Sequence, residues 1–287
     1  MKLAVITGVS GFVGRHIHKE FTTQGIKTLG VARSHGECVD LTVHSYDALK
    51  DTTLIGQPHE ECTLIHLAGE SRVGRYQGDE RLMRDANRLS KKISNLPWHR
   101  MIFASSGAIY RSANAASCLD EDSVIADSAY ARCKFYGERC FLEQGGTALR
   151  LTNLMGEGMN KETIIADILK QVSLEDDVKI VLRDCSAVMD LLLVSDAASA
   201  FRKTLITDGA MGKVLNIGSG QGISARALAT LILRRLGKRL VRATSQDDEK
   251  NLGIVLNTDF AAKVIDWRPT KSIEAAISTF IPSAVTQ

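Results

Sequence analysis

The strongest constraint on this chain is its beginning. Lys2 to Thr7 is a short apolar run that feeds directly into Thr7-Gly8-Val9-Ser10-Gly11-Phe12-Val13-Gly14. An apolar run stopped by glycine reads as a buried strand, and Phe12 to Gln24, closed by Gly25, reads as a helix. Between them stand Gly8, Gly11 and Gly14. Glycine lacks Cβ and accepts positive φ, so it lets a backbone turn tightly and approach a bound group. The free N–H groups of a helix N-terminus suit a pyrophosphate. The spacing is G-x-x-G-x-x-G rather than the G-x-G-x-x-G of the best-known dinucleotide fingerprint.

The same alternation continues. Lys27 to Ala32, Cys62 to Leu67, Arg100 to Ser105 and Thr147 to Thr152 read as strands, with helices over Gly78 to Ser94 and Asp127 to Gln144. Strands alternating with helices predict a doubly wound α/β fold, a parallel sheet with helices on both faces. Beyond residue 153 the rhythm loosens. Ile164 to Val172 and Asp196 to Leu205 read as helices, and Val178 to Leu182 as extended. Val214 to Ile217 reads as a strand, with Gly218, Gly220 and Gly222 as a turn after it and Ser224 as the cap of the next helix. The 287 residues admit one large domain or two small ones.

Composition narrows the class. Lys plus Arg is 36 and Asp plus Glu is 33, a net charge of +3 with no clustered basic stripe, which argues against nucleic acid as a partner. No run approaches the ~18 apolar residues of a membrane span. The six cysteines, at 38, 62, 118, 133, 140 and 185, include no C-x-x-C pair and read as free thiols, with no metal site expected. The expected location is the cytoplasm. His16 and His18 lie on different helix faces and read as surface residues; His66 reads as a core histidine.

Two patterns carry chemistry. Tyr130 and Lys134 are four apart on a helix and share a face. A phenol is a weak base at neutral pH, and an ammonium one turn away favours its phenolate. Tyr46 and Lys50 repeat the spacing, but Tyr46 falls early and reads as a packing residue. Tyr130 follows Ser105-Ser106-Gly107, at the carboxyl end of a strand where such sheets bind ligands.

Together these residues resemble the extended short-chain dehydrogenase/reductase family, the NAD-dependent epimerase/dehydratase group, over nearly the whole chain. The resemblance implies a Rossmann-type sheet domain over residues 1–152, with segments near 190–218 returning to it. Residues 153–287 would then form mainly a small C-terminal substrate-binding lobe. It implies that Gly8, Ser10, Gly11, Phe12, Val13 and Gly14 hold the cofactor, with Asp40 and Leu41 at its adenine and Leu67, Ala68 and Gly69 beneath it. Asn87 falls on the family's helix asparagine. Ser106, Tyr130 and Lys134 match the catalytic trio: Ser orients the substrate, Tyr moves the proton, Lys holds the ribose and tunes Tyr. Ser105, Leu151 and Asn153 join the cofactor set, and Ser106, Gly107, Asn153 and Arg183 the substrate set. A homodimer through the helices near 80–94 and 127–144 is a family expectation.

Three departures matter. Dehydratases of the group carry an Asp-Glu pair where this chain has Gly107 and Ala108, so dehydration is disfavoured. Many nucleotide-sugar members carry an Arg-Asp pair where this chain reads Met189-Asp190, and Arg183 is the substitute on offer. At the end of the second strand stands Arg33, the natural partner of a 2′-phosphate, which favours NADP over NAD. The expected function is NAD(P)-dependent 4-keto reduction or 4-epimerisation of a sugar, with a nucleotide-linked sugar expected as substrate. The alternatives are an NADP-dependent reductase of a non-nucleotide ketone or aldehyde, and a non-catalytic NAD(P)-sensing regulator.

Overall fold

The structure, a computed structural model, describes residues 3–32, 36–38, 41–45, 59–70, 72–110, 118–119, 124–246 and 253–281. The first half contains β1 (Leu3–Thr7), α1 (Phe12–Thr23), β2 (Thr28–Ala32), β3 (Gly36–Cys38), β4 (Leu41–Ser45), β5 (Cys62–His66), α2 (Glu80–Ser94), β6 (Arg100–Ser106), β7 (Cys118–Leu119), α3 (Ala129–Leu142) and β8 (Thr147–Leu151). The second half contains β9 (Asn153–Met155), α4 (Ile164–Lys170), β10 (Asp177–Leu182), β11 (Val188–Leu193), α5 (Val194–Ile206), β12 (Val214–Ile217), β13 (Gly222–Ser224), α6 (Ala225–Arg235), β14 (Arg239–Ser245), β15 (Val255–Leu256), α7 (Asp259–Ile265) and α8 (Ile273–Ser278).

Eight strands form the main sheet in the order β12-β8-β6-β5-β1-β2-β4-β3, parallel except for the last pair. The chain leaves β1 in one direction, through β2 to β4, and then returns to the other side through β5, β6, β8 and β12. That reversal beside β1 opens a crevice at the carboxyl ends of the strands, where doubly wound sheets bind ligands. β1 and β5 are buried along their whole length, as helices on both faces require.

One face of the sheet packs against α1 and α5. Ile17 and Phe21, four apart on α1, enter that core with Phe201 and Trp267. Trp267 is 1% exposed, and its indole N–H donates to Asp196 O at 3.1 Å and Ser199 Oγ at 3.0 Å, so the tail returns to the main core. On the other face α2 and α3 cover Val5, Leu64 and Phe103. A second core is built entirely from residues between Met155 and Ile281, around the β10-β14 pair and the β9-β11-β13 sheet.

Several local signals act as expected. Ser128 and Ser224 cap α3 and α6, their hydroxyls accepting from Ala131 N at 3.0 Å and Ala227 N at 3.2 Å. One reading is corrected: His18 is buried, not at the surface, because its ring nitrogen meets Thr28 Oγ1 at 2.8 Å where α1 lies on β2. Among the described residues no helix is long and apolar enough to cross a membrane.

Candidate active site

The glycine turn is shaped by two contacts. Gly8 has φ +74° and lies against the end of β5, where a Cβ would come within 3.1 Å of Ala68 N and Cα. Gly14 has no room at all: a Cβ there would sit 2.3 Å from Gly8 O and 2.6 Å from Val9 Cα. Gly11 N donates to Gly8 O at 3.0 Å and closes the loop. α1 then starts with no side-chain cap and no acidic residue in its first turn. Its leading N–H groups and positive dipole end suit a phosphate, so this cradle fits a dinucleotide pyrophosphate. Ser10 is exposed at the turn.

Beside it, Thr7 ties β1 to the end of β5. Its Oγ1 shares a 2.7 Å hydrogen bond with His66 Nδ1 and accepts from Leu67 N at 3.2 Å. His66 stacks on both Phe103 and Phe141, which also touch each other. Burial, with the Lys134 charge nearby, pushes its pKa down to about 3, so the ring is neutral. It is the core histidine that the sequence suggested. Leu67, Ala68 and Gly69 follow, with Gly69 at φ +150°.

Ser106, Tyr130 and Lys134 meet in one cavity of about 560 Å³, with Phe12, Val13 and Leu67 also in its wall. Ser106 ends β6, and its Oγ accepts from Ala108 N at 3.2 Å across the following 3-10 turn. Tyr130 occupies the first turn of α3, its ring edge-on to Tyr76 at 5.3 Å. Lys134 Nζ donates to Ala104 O at 3.0 Å and lies 5.9 Å from the centre of the Tyr130 ring. Burial first, and then the neighbouring Cys133 and Tyr130, drive the Tyr76 phenol well above its ordinary value, which suits a packing role. Cys133 points off the Tyr-Lys face; burial raises its thiol, which donates to Asn87 Oδ1 at 3.2 Å.

The remaining candidates divide. Gly107, Leu151 and Asn153 line the same cavity. Ser105 reaches it too, but its hydroxyl donates to buried Glu138 at 2.7 Å. Asn87 lies off the cavity, joining α2 to α3 through Cys133. Arg183 is exposed at the end of β10 and does not line the cavity. Arg33 and Asp40 fall outside the described residues, and of Leu41 the structure describes only the backbone, at the start of β4.

A sequence model of the NAD dependent epimerase/dehydratase family matches residues 4–218. The chain belongs to this family. Among its relatives is dTDP-4-dehydro-6-deoxyglucose reductase of Escherichia coli, 24% identical with 97% of this chain and 96% of the relative covered. Another is GDP-6-deoxy-D-mannose reductase of Pseudomonas aeruginosa, 28% identical over 79% of this chain and 78% of the relative. The solved structure of UDP-glucose 4-epimerase from Thermotoga maritima with UDP-glucose shares the fold at a TM-score of 0.78, 20% identical with 97% of each chain covered.

For a member of the epimerase/dehydratase family, the sequence reading missed the far wall of the cavity. Arg72, Asn160, Glu162 and Thr163 line it. Arg72 is gripped by Glu70, with Nε donating to Oε1 at 2.9 Å and Nη2 to Oε2 at 2.6 Å. It also reaches Glu162 at 3.9 Å across the cavity. The only available signal was position, three residues past His66-Leu67-Ala68-Gly69. Asp190 was also underrated. It is fully buried, and its carboxylate accepts from Ser219 N at 2.8 Å, Ser219 Oγ at 2.6 Å, Gly220 N at 3.3 Å and Leu256 N at 3.2 Å. Burial raises its pKa against the pull of those bonds.

Proposed function

We propose that this protein is an NAD(P)-dependent oxidoreductase or epimerase of a sugar linked to a nucleoside diphosphate, acting by 4-keto reduction or 4-epimerisation. The observation that carries this reading is the convergence of Ser106, Tyr130 and Lys134 in one cavity beside the glycine turn. The two sugar-nucleotide reductases among the relatives support the substrate class. In this reading residues 1–152, with returning segments near 190–218, hold the cofactor, and residues 153–287 mainly shape the substrate side.

Gly8, Ser10, Gly11, Phe12, Val13 and Gly14 would hold the pyrophosphate, Asp40 and Leu41 the adenine, and Leu67, Ala68, Gly69, Ser105, Leu151 and Asn153 the rest. Bound there, the nicotinamide supplies hydride transfer. Ser106 Oγ holds the substrate oxygen, and Tyr130 Oη gives or takes its proton. Lys134 Nζ holds the ribose and provides the positive charge that a phenolate needs beside it. Gly107 and Ala108 offer no acid or base for loss of water, which argues against dehydration. A serine, a tyrosine and a lysine gathered in one cavity are of no use to a cofactor sensor, which argues against that alternative.

The test is Tyr130→Phe assayed with dTDP-4-dehydro-6-deoxyglucose and NADPH. The expected outcome is loss of turnover with cofactor binding kept; retained turnover sinks the mechanism. Arg33→Asp is expected to reverse a preference for NADPH over NADH, and an unchanged preference removes the NADP reading. Mass analysis of cofactor carried through purification separates retained NAD, expected of an epimerase, from an empty site, expected of a reductase.

One observation favours a second reading. Arg183 stands away from the cavity and Met189 occupies the place of the usual arginine, so a non-nucleotide ketone or aldehyde fits as substrate. Calorimetric titration with nucleoside diphosphates decides: binding supports the first reading and its absence the second. A homodimer through α2 and α3, in the cytoplasm, completes the proposal, and sedimentation checks the assembly.

A further inference from the structure

Directly beneath the candidate site runs a buried polar chain that the mechanism does not use. Tyr130, Lys134 and Glu138 stand four apart on α3, so they share one face. Glu138 is 1% exposed, and it lies one turn below Lys134. Its Oε2 accepts from Ser105 Oγ at 2.7 Å and Arg150 Nε at 3.1 Å, and its Oε1 from Arg150 Nη2 at 2.6 Å. Arg150, 3% exposed on β8, also donates from Nη1 to Tyr110 Oη at 2.8 Å. Tyr110 donates in turn to Asn216 Oδ1 on β12 at 2.7 Å. The chain therefore binds α3 to β6, β8 and β12.

Four of its members, Ser105, Tyr110, Glu138 and Arg150, line the cavity or stand within one turn of a residue that does. Ser105 precedes Ser106, Arg150 precedes Leu151, and Tyr110 closes the 3-10 turn that Ser106 caps. A second contact acts at the same level. Gly137 lies so close to β6 that a Cβ would stand 2.5 Å from the Phe103 ring, over which Lys134 Nζ lies at 5.4 Å. Close approach at Gly137 sets the height of α3 above the sheet, and the ion pair at Glu138 sets its register along β6.

Stability alone does not require such a pair. Buried ion pairs are often replaced by apolar residues of similar volume at no loss of stability, so an ion pair at this place fits a demand for one arrangement. We propose that Glu138 and Arg150 are positioning residues, which lock α3 to the strand ends so that Lys134 and Tyr130 face Ser106 across the nicotinamide end of the cavity. The proposal rests on the Ser106-Tyr130-Lys134 reading above.

The test is the double substitution Glu138→Leu with Arg150→Met, read by fluorescence titration with NADH and NADPH and by competition with ADP. ADP lacks the nicotinamide and its ribose, the part of the cofactor assigned to Lys134. The expected result is a folded protein with a Tm near that of the parent, at least fivefold weaker NADH and NADPH binding, and ADP binding within twofold of the parent. Equal loss for ADP and NADH would mean general damage and overturn the proposal, as would unchanged NADH binding. Lys134→Met is the control: if it leaves NADH affinity unchanged, the trio reading fails, whatever the double variant does. Should the double variant not fold, Glu138→Asp keeps the charge but shortens its reach, and the same split between NADH and ADP is expected; its absence overturns the proposal.

Discussion

The two walls of the cavity are built in different ways. The first wall is made by short, nearly continuous segments: the turn from Gly8 to Gly14, the end of β5, and Ser106 after β6. Its tight points are backbone against backbone, as where Gly14 meets Gly8 O and Val9. The second wall rests on distant pieces that stand behind its lining. Asp190 on β11 gathers Ser219, Gly220 and Leu256 by hydrogen bonds, and Leu256 in turn lies 3.3 Å from where a Cβ on Gly107 would stand. One wall is rigid through local geometry, the other through a single buried carboxylate. The difference shows where each is vulnerable.

The largest effect is expected on the first wall. Gly14→Ala places a methyl against three backbone atoms that cannot turn aside, the nearest at 2.3 Å. Overpacking of this kind costs roughly 3 kcal/mol or more. Thermal unfolding is expected to show that loss and titration the loss of NADH binding; a variant that still binds NADH normally would break the account of the turn.

The second effect separates the walls. Asp190→Ala leaves the buried N–H groups of Ser219, Gly220 and Leu256 without their acceptor, at a cost of about 2 kcal/mol. The substrate side is expected to loosen while NADH binding persists. Hydrogen exchange at residues 218–220 and 254–256, measured beside NADH titration, checks this. Equal losses on both sides would show that the walls are not independent.

The smallest effect sharpens the description of the floor between them. His66 is neutral in the folded chain, its pKa lowered to about 3, whereas an unfolded chain protonates near the ordinary value of 6.5. As pH falls below 6.5 the unfolded state takes up a proton that the folded state refuses. Stability therefore declines by up to ~1.4 kcal/mol per pH unit until the folded pKa is reached. Unfolding of the parent and of His66→Gln between pH 7 and pH 5.5, where the loss is at most ~1.4 kcal/mol, is expected to give a shallower decline for the variant; parallel curves would show that His66 is not the cause.

Most of the first wall could be read from the residues. Gly8, Gly11 and Gly14 between an apolar run and a helix report a local backbone requirement, and a tyrosine four residues before a lysine reports a shared helix face. Ser224 announced its helix because a cap acts within three residues. The second wall was mostly illegible. β14 reads Arg-Leu-Val-Arg-Ala-Thr-Ser, largely exposed, and is a strand because β10 pairs with it in parallel. β9, β11 and β13 likewise exist as a sheet only through each other. Arg72 and Glu162 are ordinary surface charges by sequence, and only the fold brings them to one cavity.

The sequence by itself determined the glycine turn, five strands and three helices through residue 151 but not β3, β4 or β7, the Ser106-Tyr130-Lys134 pattern and the family, because each depends on neighbours within a turn or a strand. Tertiary structure alone decided that Arg183 stands apart while Arg72 lines the cavity, that Asp190 gathers Ser219, Gly220 and Leu256 behind it, and that Glu138 pairs with Arg150 beneath the site. Those outcomes depend on contacts between residues far apart in the chain. Local propensity carries no information about them, since burial and partnership are fixed only when the elements pack.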